Sequence, residues 1–216
     1  MHGGTEILRT ILFDMYGVIL KESKGNFIPY TFDYFSDQER ERLIRQFRDE
    51  QLFTKAGSGL ISSDDFLLQL GFTDPQHHMK NYLENYLTLD NGFIPFAEKY
   101  YNEFRFVLVS NDVSEWSAYI TEFYNLNKYF REKIVSGDIK CRKPDIRIFN
   151  YALEQSKSIP QECIFIDNSV ENLAMAESLG IIPVLFNRDN VAYEGLTVNS
   201  FEELEQLIIK GIRLSE

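Results

Sequence analysis

The sequence predicts a doubly wound α/β fold, a mainly parallel sheet with helices on both faces and a helical segment inserted early in the chain. Three observations carry this. Short apolar runs stop abruptly at polar residues, amphipathic stretches alternate with those runs, and a long stretch of helical periodicity separates the first run from the second.

The apolar runs fall at residues 11–13, 106–109, 163–166 and 181–186. Continuous rather than alternating hydrophobicity is expected of strands covered on both faces. The first three end in Asp14, Ser110 and Asp167, which places polar groups at the carboxyl edge of the sheet, where open α/β folds bind ligands. Between the runs, Trp116, Ile120 and Phe123 share one helical face, as do Ile148, Ala152 and Leu153. Pro144 and Asp145 read as a helix start and Gly180 as a stop after residues 174–179. Leu207, Ile208 and Ile212 predict a last helix before a short polar tail, residues 213–216. From about residue 24 to 91 the period is helical throughout (Leu43, Ile44, Phe47; Phe66, Leu67, Leu70; Tyr82, Leu83, Tyr86), interrupted by Gly57-Ser58-Gly59. Of its residues, Phe27, Tyr30, Phe53, Thr54 and Lys55 are candidates to face a ligand, although aromatic residues at helical spacing more often form core.

A chain of 216 residues, 44% hydrophobic, has enough apolar material for a sizeable core. Its formal net charge of -11 repels a phosphate backbone and argues against nucleic acid as a partner. Any anionic substrate must then meet a local positive site. Residues 1–10 have no basic segment followed by a long apolar one, and no stretch approaches membrane-spanning length. A soluble cytoplasmic protein without membrane partners is expected, with Cys141 and Cys163 both reduced. His77 and His78 are adjacent, and on a helix they point in different directions, which suits surface positions better than shared metal ligation.

Four short segments occur in a fixed order: Phe13-Asp14-Met15-Tyr16-Gly17-Val18, Val109-Ser110-Asn111, Arg142-Lys143-Pro144-Asp145 and Phe165-Ile166-Asp167-Asn168-Ser169. Together they resemble the four motifs of the haloacid dehalogenase superfamily, and the resemblance spans nearly the whole chain. It implies a Rossmann-like core (residues 1–23 and 92–216) carrying a small helical cap (residues 24–91) that opens and closes over the site. It also implies that Asp14 is a nucleophile forming an aspartyl-phosphate, with Ser110, Asn111 and Lys143 binding the phosphoryl group. Mg²⁺ would be held by Asp14, the backbone carbonyl of Tyr16, Asp167 and Asn168. The physical logic agrees, because a carboxylate can attack an anionic ester only if a cation offsets the repulsion. Lys143, not Lys140, precedes the Pro-Asp helix start shown by the family.

Each residue also has an ordinary structural reading: Asp14 as a strand-ending turn residue, Ser110 likewise, Lys143 as a solvated loop lysine, Asp167 as a helix cap. Two positions depart from the family's phosphatase pattern. Tyr16 stands where a second aspartate usually serves as acid and base, and a phenol is a poor base at neutral pH. Asn168 stands where many relatives place a second carboxylate, which lowers the charge offered to a metal. The Asp-x-Tyr-Gly pattern is similar to the metal-independent 2-haloacid dehalogenases. Three readings therefore stand: a Mg²⁺-dependent hydrolase or phosphotransferase acting on a small phosphate ester, a dehalogenase acting on another small acid, and a weakened binding module.

Overall fold

The computed structural model describes residues 9–210. The polar tail predicted at residues 213–216, Ile212 and most of the 1–10 segment lie outside them. The elements run β1 (Thr10–Phe13), α1 (Phe27–Tyr34), α2 (Arg40–Arg48), α3 (Leu52–Gly57), α4 (Ser63–Leu70), α5 (Pro75–Asn85), α6 (Phe93–Tyr100), β2 (Arg105–Ser110), α7 (Ser114–Phe123) and β3 (Phe130–Val135). They continue with α8 (Ser136–Ile139), α9 (Ile146–Ser156), β4 (Cys163–Asp167), α10 (Val170–Ser178), β5 (Ile182–Phe186), β6 (Leu196–Val198) and α11 (Phe201–Ile209).

The sheet order is β3-β2-β1-β4-β5-β6, and all five pairings are parallel. Alternate strand residues enter two different cores. Ile11, Phe13, Phe106, Leu108, Ile164 and Ile166 face one layer, whereas Leu12, Val107, Val109 and Phe165 face the other. Burial on both faces is why these strands read as unbroken apolar runs. The chain leaves β1 toward β2 and β3 and later returns to β4 on the other side of β1. The switch in winding direction, where such sheets open a crevice, therefore lies between β1 and β4.

Four of the six strands match the predicted runs. The two that were not predicted are the sheet edges. In β3 the sequence Phe-Arg-Glu-Lys-Ile-Val puts charge in the middle of the strand, with Arg131 and Lys133 exposed, as edge strands require. β6 is three residues long. The helix starting after Pro144 is present, with the Asp145 carboxylate accepting the Arg147 amide at 2.9 Å. Gly180, with φ +84°, follows α10 as predicted. Phe123, on the predicted apolar helical face, and Ile44, part of the predicted helical period, are both exposed.

The segment between β1 and β2 holds α1 to α5 and α6. Its packing on the sheet layer is aromatic. Trp116 of α7 sits 4.9–5.9 Å from the rings of Phe27, Phe53, Phe66 and Tyr82, and its indole Nε1 donates to Ser63 Oγ at 2.7 Å. Phe27 and Tyr30 are core residues, and only Phe53 of the five candidates also lines the pocket described below. His78 is a correction. It is buried, and its Nδ1 lies 2.6 Å from the Tyr30 hydroxyl with Tyr34 and Phe72 packed on the ring. Burial pushes its pKa below the ordinary value.

Gly59 closes this packing. Its φ is +64°, and a Cβ there would lie 2.0 Å from the Gly137 carbonyl oxygen of α8. Backbone cannot retreat as a side chain can, so Gly59→Ala combines left-handed strain with a clash and should cost about 3 kcal/mol. Urea unfolding of the variant measures it, and a loss below about 1 kcal/mol would show that the α3–α4 turn yields freely.

Candidate active site

The site starts from strand register. β1 pairs with β4 through Phe13 and Ile166, so the next residues on each strand, Asp14 and Asp167, leave the sheet side by side. Lys143, from the segment ahead of α9, fills the gap between them. Its Nζ donates to Asp14 Oδ1 at 2.7 Å and to Asp167 Oδ2 at 2.8 Å, and it lies 5.2 Å from the centre of the Phe165 ring. All three side chains are buried, Lys143 with 5% of its surface exposed, so the solvated-loop reading does not hold for Lys143. Lys140 is exposed.

Asp167 is held through both oxygens. Its Oδ1 accepts the Ser169 amide at 2.8 Å, and both oxygens accept from Asn172 Nδ2 at 3.2 and 3.0 Å. Asp14 is the less committed carboxylate, holding Lys143 through Oδ1 while its residue lines an adjoining pocket. Burial, then the neighbouring Asp167, push the Asp14 pKa up to about 7 against the pull of Lys143. Burial draws the Lys143 ammonium down, but the two carboxylates outweigh it and leave the lysine pKa above its ordinary value.

Asn111 holds the lysine segment in place with a reciprocal pair, its Nδ2 donating to the Lys143 carbonyl at 2.9 Å and its Oδ1 accepting the Lys143 amide at 2.8 Å. Ser110 ends β2 with a fully buried hydroxyl that has no hydrogen-bond partner among the described residues. An unpaired buried hydroxyl is costly unless a ligand completes it. Gly17 turns the chain after Asp14 with φ +81°, and a Cβ there would strike the Asn168 amide at 2.4 Å. Asn168 thus packs against Gly17, while Asn172, one helical turn on, lines the pocket.

Three residues escaped the sequence reading. Asp112, 3% exposed, accepts the Tyr16 hydroxyl at 3.1 Å and the Val113 amide at 2.8 Å through Oδ1, and its Oδ2 is buried without a partner among the described residues. Burial pushes this carboxyl up to about 8, and burial followed by Asp112 pushes Tyr16 well above the ordinary tyrosine value. Arg188, after β5, donates to the carbonyls of Gly17 and Val18 at 3.0 Å each and pairs with Asp90 at 2.6 Å, fixing the turn that follows Asp14. Asn172 orients Asp167. Only the position of Asp112 beside Ser110-Asn111 offered a sequence signal.

Asp14, Tyr16, Asn111, Lys143 and Asn172 line a pocket of about 160 Å³ together with Ser23, Lys24, Gly25, Phe53 and Tyr82. Among the described residues no three His, Cys, Asp or Glu side chains converge as a metal cluster, and no helix is long and apolar enough to cross a membrane. Chemically, the arrangement combines a carboxylate poised at a pocket wall, a buried ammonium and hydrogen-bond donors.

Comparison with known proteins gives the same assignment. The chain is 22% identical over 185 residues to the D-ribitol-5-phosphate phosphatase of Bacteroides thetaiotaomicron, covering 81% of this chain and 89% of that protein. It is 27% identical over 114 residues to the glyceraldehyde 3-phosphate phosphatase of Methanothermobacter thermautotrophicus, covering 48% and 50%. A 62-residue match at 34% identity to the drimenol cyclase of Aspergillus calidoustus covers 29% of this chain and 12% of that one. The chain therefore spans half or less of two of these three relatives. A HAD phosphatase structure from Thermococcus onnurineus superposes with a TM-score of 0.75 at 20% identity, covering 96% of this chain and all of the other. A HAD family enzyme of Bacteroides thetaiotaomicron, solved with magnesium and inorganic phosphate, gives 0.71 at 19% identity, covering 87% and 98%. At these identities structural likeness establishes the fold. A family model for haloacid dehalogenase-like hydrolases matches residues 8–180, and the chain belongs to that family.

Proposed function

We propose that the chain is a Mg²⁺-dependent phosphomonoester hydrolase acting on a small molecule through an aspartyl-phosphate on Asp14. The observation that carries this reading is the buried Asp14–Lys143–Asp167 cluster at the winding switch, with Asp14 turned to a pocket. The relatives named as phosphatases of ribitol 5-phosphate and glyceraldehyde 3-phosphate support it. The proposal takes residues 24–91 as a cap over a core of residues 1–23 and 92–216. A cytoplasmic setting accords with two free cysteines, both buried.

The donors suit a hard dication. Asp14 and Asp167 supply carboxylates, and the Tyr16 carbonyl accepts none of the backbone hydrogen bonds of its turn. Asn168 or Asn172 would complete the set with an amide oxygen, and Asn172 already turns its nitrogen to Asp167. When bound, Mg²⁺ would neutralise charge on the phosphoryl oxygens.

Asp14 attacks phosphorus, its carboxylate oxygen forming the acyl-phosphate bond as the P–O bond to the alcohol breaks. Lys143 offsets charge on nucleophile and phosphate, and Ser110 gives its unpaired hydroxyl to a phosphoryl oxygen. The Tyr16–Asp112 pair occupies the place of the usual second aspartate. Tyr16 can supply a proton to the leaving alcohol but does not activate water at neutral pH, so breakdown of the aspartyl-phosphate is the slow step.

A panel of small phosphate esters and 2-haloacids, assayed with Mg²⁺ or with chelator, tests this. The expected result is a rapid release of one equivalent of alcohol per enzyme, slower phosphate release, and loss of both in chelator. Chelator-resistant halide release would favour the dehalogenase reading, and inertness on both panels would favour a binding module.

A further inference from the structure

Among the residues that line the pocket, one cation has no partner among the described residues. Two cations line the pocket, Lys24 and Lys143, and Lys143 is paired with Asp14 and Asp167. Among the described residues Lys24 has no carboxylate within 4.0 Å and no hydrogen-bond partner, in a protein of formal net charge -11.

Lys24 is exposed, and the backbone that carries it is braced. It sits in a turn closed by the Gly25 amide donating to the Glu22 carbonyl at 3.1 Å. The Glu22 carboxylate accepts the Thr88 amide at 2.8 Å, and the Tyr82 hydroxyl donates to the Gly25 carbonyl. Gly25 lies flat against the Tyr16 ring, where a Cβ would fall 3.5 Å from two ring carbons. The backbone that carries Lys24 is therefore braced on the same tyrosine that flanks the nucleophile. Phe53 and Tyr82 line the same pocket with aromatic carbon, and the Tyr82 hydroxyl is already used. A leaving group in this pocket meets apolar surface, the Ser23 hydroxyl and the Lys24 ammonium.

We propose that Lys24 is a specificity-determining residue that selects phosphate esters carrying a carboxylate at the end remote from the phosphate. The assignment rests on the phosphatase reading of Asp14 and Lys143. A short acid suits a pocket of about 160 Å³ lined by both Asp14 and Lys24, its phosphate engaging Asp14 and its carboxylate engaging Lys24. A neutral polyol of equal length would leave the ammonium without a partner.

The test uses two non-hydrolysable phosphonates of equal chain length, 3-phosphonopropionate and propylphosphonate, titrated calorimetrically into the protein with Mg²⁺ present. The wild type is expected to bind the carboxylated ligand at least about fivefold tighter, the range of a partly exposed ion pair. Lys24→Met keeps the apolar stem and removes the charge, and it should bring the ratio to about one. Lys24→Glu should reverse the preference. Propylphosphonate binding without any preference in the wild type, or a preference that survives Lys24→Met, overturns the assignment of Lys24 alone. If the wild type binds neither phosphonate, the phosphatase reading fails and this proposal fails with it.

Discussion

An Asp14→Asn variant is expected to fold, to become more stable than the wild type above pH 7 in chelator, and to release no phosphate. The loss of turnover follows from chemistry, since an amide does not form the acyl-phosphate. The gain in stability follows from the setting. Burial and Asp167 raise the Asp14 pKa to about 7, whereas in the unfolded chain it is the ordinary aspartate value near 4. Between about pH 4 and pH 7 the folded protein holds a proton that the unfolded chain has released. Stability contributed by this group is fully present below about pH 4 and lost as pH rises through about 7, a loss of about 4 kcal/mol for three pKa units. Asparagine stays neutral and avoids it. Its carbonyl still accepts from Lys143, but without charge assistance, which reduces the net gain to about 1–2 kcal/mol at pH 8. Urea unfolding at pH 4.5 and pH 8 measures the difference, which should be near zero at the lower pH. A variant less stable than the wild type at pH 8 would refute this electrostatic account. Retained turnover would remove Asp14 from the chemistry altogether.

How far the sequence exposes this site follows from where its information is local. Asp14, Ser110 and Asp167 each end a strand whose apolar run is visible without any neighbour, and parallel pairing then brings Asp14 and Asp167 together. Lys143 is legible as a motif but not as a buried group. Its burial depends on two carboxylates from strands far away in the chain. Asp112 is the harder case, because its role comes from a hydroxyl 96 positions earlier, and no local spacing encodes that contact. Asn172 and Asn168 both follow Asp167, and only the start of α10 decides which one faces the pocket. His78 was misplaced for a similar reason. Polar residues on a helix suggest a surface, but Tyr30, Tyr34 and Phe72 come from other parts of the segment between β1 and β2 to cover it. The edge strands β3 and β6 were hidden because an edge strand is selected for charge and brevity, the opposite of the pattern that reveals a central strand.

Replacing Lys143 with methionine should be the most damaging substitution in the site. Methionine is similar in length and carries no charge, so it leaves Asp14 and Asp167 facing each other across the place of the lost ammonium. Removing one partner of a buried ionic group costs about 3–5 kcal/mol, because the remaining charges lose their compensation without regaining water. Here two carboxylates are left, and the contact with the Phe165 ring is lost as well. The penalty should therefore depend on pH. As the pH falls toward 5 Asp14 is largely protonated in both proteins and much of the loss disappears, whereas at pH 8 the variant must take up a proton that the wild type does not need. The wild-type lysine, with its pKa raised further by both partners, keeps its charge throughout this range and gives no such dependence of its own. Mg²⁺ should stabilise the variant more than the wild type, since a dication at the two carboxylates supplies the missing positive charge. Turnover should still fall by at least about 10³-fold, because in the proposed reaction the ammonium also balances charge on the transferring phosphoryl group. Urea unfolding at pH 5 and pH 8, with and without Mg²⁺, separates these effects. Equal stability of variant and wild type at pH 8 would mean that the cluster is not electrostatically coupled. Full turnover with methionine at this position would mean that the lysine only holds the two aspartates together and takes no part in phosphoryl transfer.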